Sequence, residues 1–450
     1  MIKSFLISIS LTSALLSSAI FATPKSLEVK AITAPSYTTT LKTTIDLSDS
    51  SESEIRGYYS NLKSKSADEL SGENLLKNLK PILMDGMEYF SYDNIWKIYE
   101  ITDRDWAKSP ASGTTYGSYN SATNTLTGYQ YGSNSDGKNN PYVHARYRNY
   151  KDYPNESAIR AWGDHNATGI NREHIWCQSR GFKADSGAEG PAGTDLHHLE
   201  AADGRVNQTH HNNNPYGNVV SEDTESKKYG NDYPFMALNK RGTAKKTSSQ
   251  DESSLVFEPQ DSDKGDIARA CFYMVARYNN LSGSDTITQY EPNLTLVDYA
   301  TSNGAREDSS ATKAVGMGIL SDLLEWNALD PVDEYEIHRN NLIYKNYQNN
   351  RNPFIDFPQW ADYIWGDKKG SPINVDTDVI NQGSDYKPQT NNGFSLKDIP
   401  LWVWIVGGVV LVLIVTLVII LLVKNKKFRK QAKKSVKKSV KKQIKSSRRK

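Results

Sequence analysis

The sequence of 450 residues carries 54 Lys and Arg against 52 Asp and Glu, a formal net charge of +2. The positive sign depends on residues 424–450, where fifteen Lys and Arg occur without an acidic residue. Without those fifteen, 39 basic residues stand against 52 acidic ones, so residues 1–423 carry a net charge of −13. This balance excludes nucleic-acid binding through a generally basic surface; a local basic cleft or a bound metal would be required.

The N-terminus predicts export. Residues 1–22 have one early charge (Lys3), an apolar run through Ile20 and a small residue at Ala22, which is typical of a secretory signal peptide. An uncleaved N-terminal anchor is the alternative, because the sequence before Ala22 is a poor small-x-small cleavage site. Residues 23–66 are rich in Ser, Thr and acidic residues without a sustained apolar period, so we expect a partly disordered spacer there.

Regular structure is expected from about Ala67 onward. Apolar residues at helical spacing predict two helices, one carrying Leu75, Leu79 and Leu83 and the next carrying Ile95, Trp96 and Tyr99. Residues 113–140 are rich in Gly, Asn, Ser and Tyr, which is typical of turns and short strands.

Three short segments in the middle of the chain carry the chemistry. They are Asn171-Arg-Glu-His-Ile-Trp176, Asp195-Leu-His-His-Leu199 and Gly204-Arg-Val-Asn-Gln208. The first two predict short strands joined by a glycine-rich connection, and Asp203 predicts the N-cap of a short helix that carries Asn207. Strand, loop, strand and helix form a compact scaffold for one histidine and one divalent cation.

The pieces N-R-E-H-x-W, D-L-H-H-L and R-V-N resemble the endonuclease I family of secreted and periplasmic nucleases. The resemblance extends to Gly265-Asp-Ile-Ala-Arg-Ala-Cys-Phe-Tyr-Met274 and to a group of motifs between Leu323 and Asp356, and it covers roughly residues 67–367. It implies an α+β fold in which a ββα-metal (His-Me finger) endonuclease site is embedded among helices, and we assign this domain to residues 67–368. It also implies an enzyme that hydrolyses phosphodiester bonds.

Phosphodiester hydrolysis requires an activated water and an electrophile for the developing negative charge. A neutral imidazole, with an unperturbed pKa of about 6.5, is a natural base, and His174 takes this role. Mg²⁺ prefers a few oxygen ligands, and the resemblance assigns these to Glu173 and Asn207. Because neighbours on a regular strand point to opposite faces, Glu173 and His174 share a site only if the strand ends or bulges there.

Two arginines are candidates for binding substrate phosphate. Arg172 lies two residues before His174, and Arg205 lies two residues before Asn207. A guanidinium group matches phosphate oxygens bidentately, so either arginine could hold the substrate. Structural salt bridges are an equal alternative.

The remaining polar residues around the three segments have less specific predictions. Asn212–Asn214 are rival metal ligands, although they lie beyond the first helical turns. His197 and His198 are expected to orient the second strand or to support the site. His210 and His211 are expected at the polar surface, where the family often has Arg. Five of the eight histidines lie between positions 174 and 211, but no set of residues has zinc-site spacing.

The segment 264–278 predicts a core helix with Asp266 as its N-cap. Further on, Asp330-Pro331 is expected to separate two helices, because proline disfavours helix in the preceding residue. Cys177 and Cys271 are expected to be buried free thiols, although a disulfide is chemically allowed in an exported chain.

The C-terminal part predicts a membrane anchor. Residues 369–398 lack periodicity and predict a flexible linker. Residues 401–423 are uncharged, and as a helix they would be about 34 Å long, enough to cross a bilayer core of about 30 Å. Trp402 and Trp404 lie at its outer edge, and the basic tail 424–450 fixes the cytoplasmic side.

These features predict a single-pass protein of the cell membrane with an extracellular, metal-dependent endonuclease domain. The expected cofactor is a divalent cation, Mg²⁺ before others, and the expected partners are DNA or RNA and the membrane, with no protein partner implied. A catalytically silent surface adhesin on the same fold is one alternative, and the intact set of Glu173, His174 and Asn207 argues against it. A zinc-dependent extracellular hydrolase of another substrate is the second alternative.

Overall fold

The computed structural model of the chain describes residues 36–113, 117–132, 141–152, 159–160, 169–182, 190–244, 255–283, 291–300 and 316–380. The predicted signal segment at 1–22, the predicted transmembrane segment at 401–423 and the basic tail at 424–450 lie outside these ranges. Within them, no helix combines the length and the apolar composition that crossing a membrane requires.

Helices and short antiparallel strands are mixed along the described chain, in agreement with the predicted α+β class. The strands are β1 (Ile45–Asp46), β2 (Ser118–Asn120), β3 (Thr125–Thr127), β4 (Tyr142–Val143), β5 (Ile159–Arg160), β6 (Ile170–His174), β7 (Leu199–Asp203), β8 (Val219–Glu222), β9 (Lys240–Ala244) and β10 (Leu255–Glu258). The α-helices are α1 (Glu52–Tyr58), α2 (Gly72–Met84), α3 (Tyr92–Thr102), α4 (Gly204–Val206), α5 (Thr224–Asp232), α6 (Asp261–Arg277), α7 (Leu320–Leu329), α8 (Glu334–Leu342), α9 (Pro353–Asp356) and α10 (Trp360–Ile364). The strands pair in the orders β1-β3-β2, β10-β9-β8, β4-β5 and β6-β7.

α6 is the central helix of the domain. It packs against α2, α7 and α9 and is buried along most of its length. The sequence predicted a helix over 264–278 with Asp266 as N-cap, but the helix begins earlier, at Asp261, and its N-cap is Gln260. Asp266 lies inside the helix, where its carboxylate forms a buried ion pair with Arg269 (3.0 Å). The predicted break between α7 and α8 at Asp330-Pro331 is confirmed.

The ordered domain begins before Ala67. The sequence predicted a partly disordered spacer over 23–66, but the described part of that segment contains β1, α1 and a 3-10 helix (Ser60–Ser64). Ile45 and Tyr59 are fully buried, each in a different hydrophobic cluster. Contacts with distant parts of the chain therefore order a segment whose composition alone predicts disorder.

The domain also extends beyond its predicted end at residue 368. The sequence predicted a flexible linker over 369–398, yet Ile373, Val375 and Ile380 are buried in the cluster that contains α2 and α6. Ile373 N donates a hydrogen bond to Leu70 O (3.1 Å), which fixes this segment to the turn before α2. The packed domain therefore includes residues up to Ile380.

The β6–β7 pair carries the segments that the sequence singled out. It is antiparallel, with Ile170 opposite Asp203. The first predicted strand is confirmed, whereas the predicted strand over 195–199 is wrong: β7 begins only at Leu199. The reason is local, because Leu199 N donates to Asp195 O (3.0 Å) and closes a turn before the strand.

A buried ion-pair network fixes β7 to the central helix. Arg146 Nε donates to Glu200 Oε2 in β7 (2.6 Å), and Arg146 Nη1 donates to Asp266 in α6. Arg269 on α6 donates to both carboxylate oxygens of Glu336 in α8 (2.7 and 2.6 Å). Removing one partner from such a buried pair costs about 3–5 kcal/mol. The network therefore holds the strand pair in one position relative to α6.

Candidate active site

The turn from β7 into α4 places a short helix beside β6. Asp203 Oδ1 accepts hydrogen bonds from Arg205 N (2.9 Å) and Val206 N (3.2 Å), so the predicted N-cap is confirmed. The helix continues as a π-helical turn over Asn207–His211. His211 reaches Glu173 in β6, so the helix runs alongside the first strand.

Glu173 is buried, and one of its two carboxylate oxygens is held from two sides. Oε1 accepts a hydrogen bond from Tyr147 Oη (2.8 Å) and another from His211 Nδ1 (2.5 Å). Within the described residues, Oε2 has no hydrogen-bond partner. The carboxylate is therefore fixed in orientation, and Oε2 is left as the oxygen that can bind a further group.

His211 is a buried cation rather than the polar surface residue that the sequence predicted. Its ring stacks on Tyr216 (centroids 4.8 Å apart), and its Nε2 lies 3.4 Å from Cys177 Sγ. Burial acts to lower the pKa of His211, but its interactions with Cys177 and with the Glu173 carboxylate outweigh burial and raise this pKa to about 10. Because imidazolium has two N–H donors, Nδ1 donates to Glu173 at neutral pH.

His174 ends β6, as the sequence required if it shares a site with Glu173. Its Nε2 lies 2.8 Å from Gly193 O and 3.1 Å from Gln178 Nε2, and its ring stacks on Tyr92 with 18° between the planes. A carbonyl only accepts, so Nε2 carries the proton. Nδ1 is then the basic nitrogen, and in the described part of the chain it has no hydrogen-bond partner.

The environment keeps the His174 imidazole neutral. The pKa of His174 is lowered to about 3, chiefly by burial and in smaller part by its neighbours His198 and Arg172, while the hydrogen bond to Gly193 acts in the opposite direction. The imidazole is therefore uncharged, with one nitrogen unprotonated, at any physiological pH.

Asn207 is the first residue of the π-helical turn and is half-buried. It lies about one turn before His211, so both residues face the same side of the helix. Since His211 contacts Glu173, that side is the one next to β6. Among the described residues, no hydrogen bond engages the Asn207 carboxamide. An oxygen donor without a partner thus lies on the face of the helix that meets Glu173.

The rival asparagines have roles in ending the helix. Asn212 and Asn213 adopt left-handed backbone conformations (φ 36° and 61°), in which asparagine commonly terminates helices. Asn214 Nδ2 donates to His210 O (3.0 Å). These contacts explain the asparagine run without a metal.

Arg172 and Arg205 differ in how far the fold engages them. Arg172 Nη1 donates to Tyr92 O (2.6 Å), and the guanidinium lies 3.4 Å from the centroid of the Tyr92 ring. Because Tyr92 stacks on His174, Arg172 helps to position the imidazole. Arg205 makes a 4.0 Å contact with Asp203 Oδ2, its guanidinium lies 4.8 Å from the centroid of the Tyr233 ring, and its side chain is a quarter exposed.

The other histidines of the central segment are buried structural residues. His197 Nε2 lies 3.2 Å from Asn350 O, and His198 Nε2 lies 2.5 Å from Ala192 O. His210 packs edge-on against Tyr229, and burial lowers the pKa of His210 to about 4. Cys177 and Cys271 are buried free thiols, as predicted.

Sequence reasoning missed two residues that hold Glu173: His211 and Tyr147. Tyr147 is fully buried and has a left-handed backbone (φ 74°), a strained conformation for a tyrosine. Tyr147 N donates to Asp263 Oδ2 (2.7 Å), and its carbonyl accepts from Asn239 Nδ2 (2.7 Å), so the surroundings hold this conformation. A single sequence carries no signal for it, because both partners are more than ninety residues away.

Clusters of three or more His, Cys, Asp or Glu side chains that could hold a metal are absent from the described ranges. The described residues therefore provide no zinc-binding cluster that would support the alternative of a zinc-dependent hydrolase. A carboxylate and a carboxamide, completed by water, are a different kind of donor set, one that suits Mg²⁺.

Most of the chain is similar to one described family. The family model for Endonuclease I matches residues 71–359. The extracellular ribonuclease of Bacillus amyloliquefaciens is 39% identical over 213 residues, which are 47% of this chain and 60% of that protein. The extracellular ribonuclease of Bacillus subtilis (strain 168) is 40% identical over 213 residues, with the same coverage. The chain thus spans 60% of the length of these curated relatives. No solved structure matches it.

Proposed function

The chain belongs to the endonuclease I family, and on that premise we propose that it is a metal-dependent nuclease of the cell surface. It hydrolyses phosphodiester bonds of extracellular DNA, RNA or both. The two extracellular ribonucleases to which it is similar support a substrate of this class. A silent surface adhesin on the same fold is disfavoured, because a chain that had lost catalysis has no need of a free basic nitrogen beside a fixed carboxylate.

The catalytic element is a His-Me finger made by β6, β7 and the helix that starts at Gly204. This assignment is supported by the order of the elements along the chain. The strands β6 and β7 pair antiparallel, Gly193 in the connection between them contacts His174, and the helix that follows β7 carries Asn207. One observation carries the assignment of the base. The hydrogen bond from His174 Nε2 to a backbone carbonyl leaves Nδ1 unprotonated, and Nδ1 takes the proton of the attacking water.

Glu173 and Asn207 are the residues that would hold the divalent cation. Glu173 Oε2 and the Asn207 carboxamide are oxygen donors without hydrogen-bond partners in the described chain. Tyr147 and His211 fix the carboxylate through its other oxygen, which reduces the freedom lost on binding a cation. A bound Mg²⁺ would stabilise the negative charge that develops on the phosphate.

Arg205 is the stronger candidate for a substrate phosphate contact. Its guanidinium is partly exposed and contacts the Tyr233 ring and, at 4.0 Å, Asp203, whereas Arg172 also donates a hydrogen bond to Tyr92 O. A guanidinium group at the start of the helix that carries Asn207 would approach the phosphate from the same side as the cation.

The proposed activity is tested by incubating the purified chain with supercoiled plasmid and with RNA, with Mg²⁺ and with an excess of chelator. We expect nicking of at least one substrate with Mg²⁺ and none with chelator. Cleavage that survives the chelator would contradict metal dependence, and a folded chain that leaves both substrates intact with Mg²⁺ would contradict the function.

The pH dependence of cleavage should be flat through mildly acidic pH. An imidazole with a pKa of 6.5 would be neutral in only about 3% of molecules at pH 5, whereas burial keeps His174 neutral there because it lowers the pKa to about 3. A cation beside Glu173 would lower this pKa further. With saturating Mg²⁺, kcat/KM at pH 5 should therefore stay within about tenfold of its value at pH 7. A fall of roughly twenty-five-fold between pH 7 and pH 5 would show that His174 titrates with its ordinary pKa.

A membrane anchor is part of the proposal on the evidence of the sequence. Its apolar segment at 401–423 and the basic tail at 424–450 lie outside the described residues. Protease added to intact cells should release a nuclease-active fragment. Since Ile373, Val375 and Ile380 are buried, we expect the cut between residues 381 and 398 and not before. The C-terminal tail, detected by an antibody, should stay with the membrane. Release of the domain only after cell lysis would contradict the extracellular orientation.

A further inference from the structure

The chain before β1 contains a short segment, residues 36–40, that we call the strap. It lies outside residues 71–359, which the family model matches. Thr38 N donates a hydrogen bond to Tyr89 O (2.6 Å). This bond fixes the strap to the segment just before α3, the helix that begins at Tyr92.

Tyr37, the residue before Thr38, reaches the connection between β6 and β7. Its Oη accepts a hydrogen bond from the Gly190 N–H. Gly190 is buried, and within the described chain this is the one hydrogen bond that its N–H makes. A buried backbone N–H without a partner costs about as much free energy as a lost hydrogen bond. The Tyr37 hydroxyl therefore stabilises the position of the Gly190 backbone.

Gly190 begins the turn that holds the proposed base. Its carbonyl accepts hydrogen bonds from Gly193 N and Thr194 N (each 3.1 Å), which close the turn over residues 190–194. Gly193 O in turn lies 2.8 Å from His174 Nε2. Because this carbonyl fixes the proton on Nε2, the position of the turn determines whether Nδ1 is left unprotonated.

The strap is thus attached to both structures that hold the His174 ring. Tyr37 holds the turn that carries Gly193, on one side of the ring. Thr38 holds the segment that leads to Tyr92, whose ring lies 5.8 Å from that of His174, with 18° between the planes. Two neighbouring residues of the strap therefore link the two supports of the imidazole.

We propose that Tyr37 is a positioning residue for catalysis. Its hydroxyl holds the 190–194 turn so that Gly193 O accepts the hydrogen bond from His174 Nε2 and Nδ1 stays free for the attacking water. This role rests on the proposed function, in which His174 is the general base. It extends the catalytic apparatus to a segment that lies outside the residues matched by the family model.

Tyr37→Phe in the full chain tests this role, because the substitution removes the hydroxyl and keeps the ring. With saturating Mg²⁺, kcat for plasmid nicking should fall about three- to tenfold, since the Gly190 N–H loses its partner and the turn is held less firmly. KM and the affinity for Mg²⁺ should stay at the parent values, because Glu173 and Asn207 do not belong to the turn. A raised KM with an unchanged kcat would show that Tyr37 binds substrate instead, and would overturn the proposal.

Amide hydrogen exchange, followed by mass spectrometry in chelator and without nucleic acid, measures the turn directly. Tyr37→Phe should speed exchange in a peptide that covers residues 190–194 at least about threefold. Exchange in a peptide that covers β7 should not change. Equal acceleration of both peptides would show a general loss of stability and would contradict a positioning role.

Thr38→Val is the matched control from the same strap. The Thr38 hydroxyl donates to Glu88 Oε2 (3.0 Å), away from the turn, and valine keeps the shape of the side chain. Both kcat and the exchange of residues 190–194 should therefore stay near the parent values. Equal losses of kcat in the two variants would contradict the specific role of Tyr37.

The exchange measurement does not depend on cleavage, so the two proposals can fail separately. A chain that cuts neither DNA nor RNA, but whose turn loosens in Tyr37→Phe, would contradict the proposed function and retain Tyr37 as the residue that holds the turn. A chain that cuts, and whose folded Tyr37→Phe variant has the parent kcat, would contradict the role of Tyr37 alone.

Discussion

Replacing His174 by alanine should lower the turnover of plasmid nicking about 10²- to 10⁴-fold, the usual contribution of a positioned general base. The unprotonated Nδ1 is lost, and nearby residues cannot replace it: His198 is held by Ala192 O through Nε2, and His197 is directed to Asn350 O. The fold should survive, because within the described chain the His174 side chain donates a single hydrogen bond, from Nε2 to Gly193 O. Single-turnover nicking and a thermal unfolding midpoint measure the two effects.

Gln178→Ala is the matched control for His174. Gln178 contacts the same imidazole nitrogen (3.1 Å) but cannot take the proton, so its loss should reduce turnover by less than about tenfold. A folded His174→Ala variant that nicks plasmid at the parent rate would remove His174 from the mechanism. Equal losses in both variants would mean that the imidazole acts only through packing.

Replacing Glu173 by glutamine should weaken Mg²⁺ binding at least roughly ten- to a hundredfold, because the substitution removes the one negative charge of the donor set. Asn207→Ala should also weaken it, since a carboxamide oxygen is lost. Both variants should lose turnover to a larger extent than they lose affinity for nucleic acid. Calorimetric titration of each variant with Mg²⁺, beside a filter-binding assay with an oligonucleotide, separates the two quantities.

Tyr147→Phe is the control for the charge of Glu173. It removes one hydrogen bond to Oε1 but keeps the carboxylate and its contact with His211, so Mg²⁺ affinity should fall by less than in Glu173→Gln. If Glu173→Gln and Asn207→Ala both bind Mg²⁺ like the parent chain, these residues are not the ligands. Asn212, although it ends the helix, would then be the next residue to test.

Local sequence signals predicted the elements that depend on local interactions. Strand β6 follows from its position before a glycine-rich connection, and the Asp203 cap follows from side-chain hydrogen bonds to residues two and three positions later. The break between α7 and α8 follows from the restriction that Pro331 imposes on Asp330. In each case, the residues that determine the structure are close together in the chain.

The structural features that the sequence did not predict depend on contacts between residues that are far apart in the chain. The composition of residues 23–66 predicts a partly disordered spacer, but Tyr59 Oη donates to Asp356 Oδ2 (2.7 Å), almost three hundred residues away. His211 becomes a buried cation only because folding brings it to Glu173, thirty-eight residues earlier in the chain. The Glu173–His174 pair and Asn207 were recognisable as a candidate site because the segments that carry them resemble the endonuclease I family. The residues that hold them in place were not.

Diffraction from crystals of the chain soaked in Mn²⁺, collected where manganese scatters anomalously, tests the central claim most directly, because it locates the cation independently of activity. We expect one strong anomalous peak between Glu173 Oε2 and the Asn207 carboxamide oxygen, beside His174, and no peak there in Glu173→Gln crystals. A peak elsewhere with none at Glu173, at a Mn²⁺ concentration that supports cleavage, would contradict the assignment of this site.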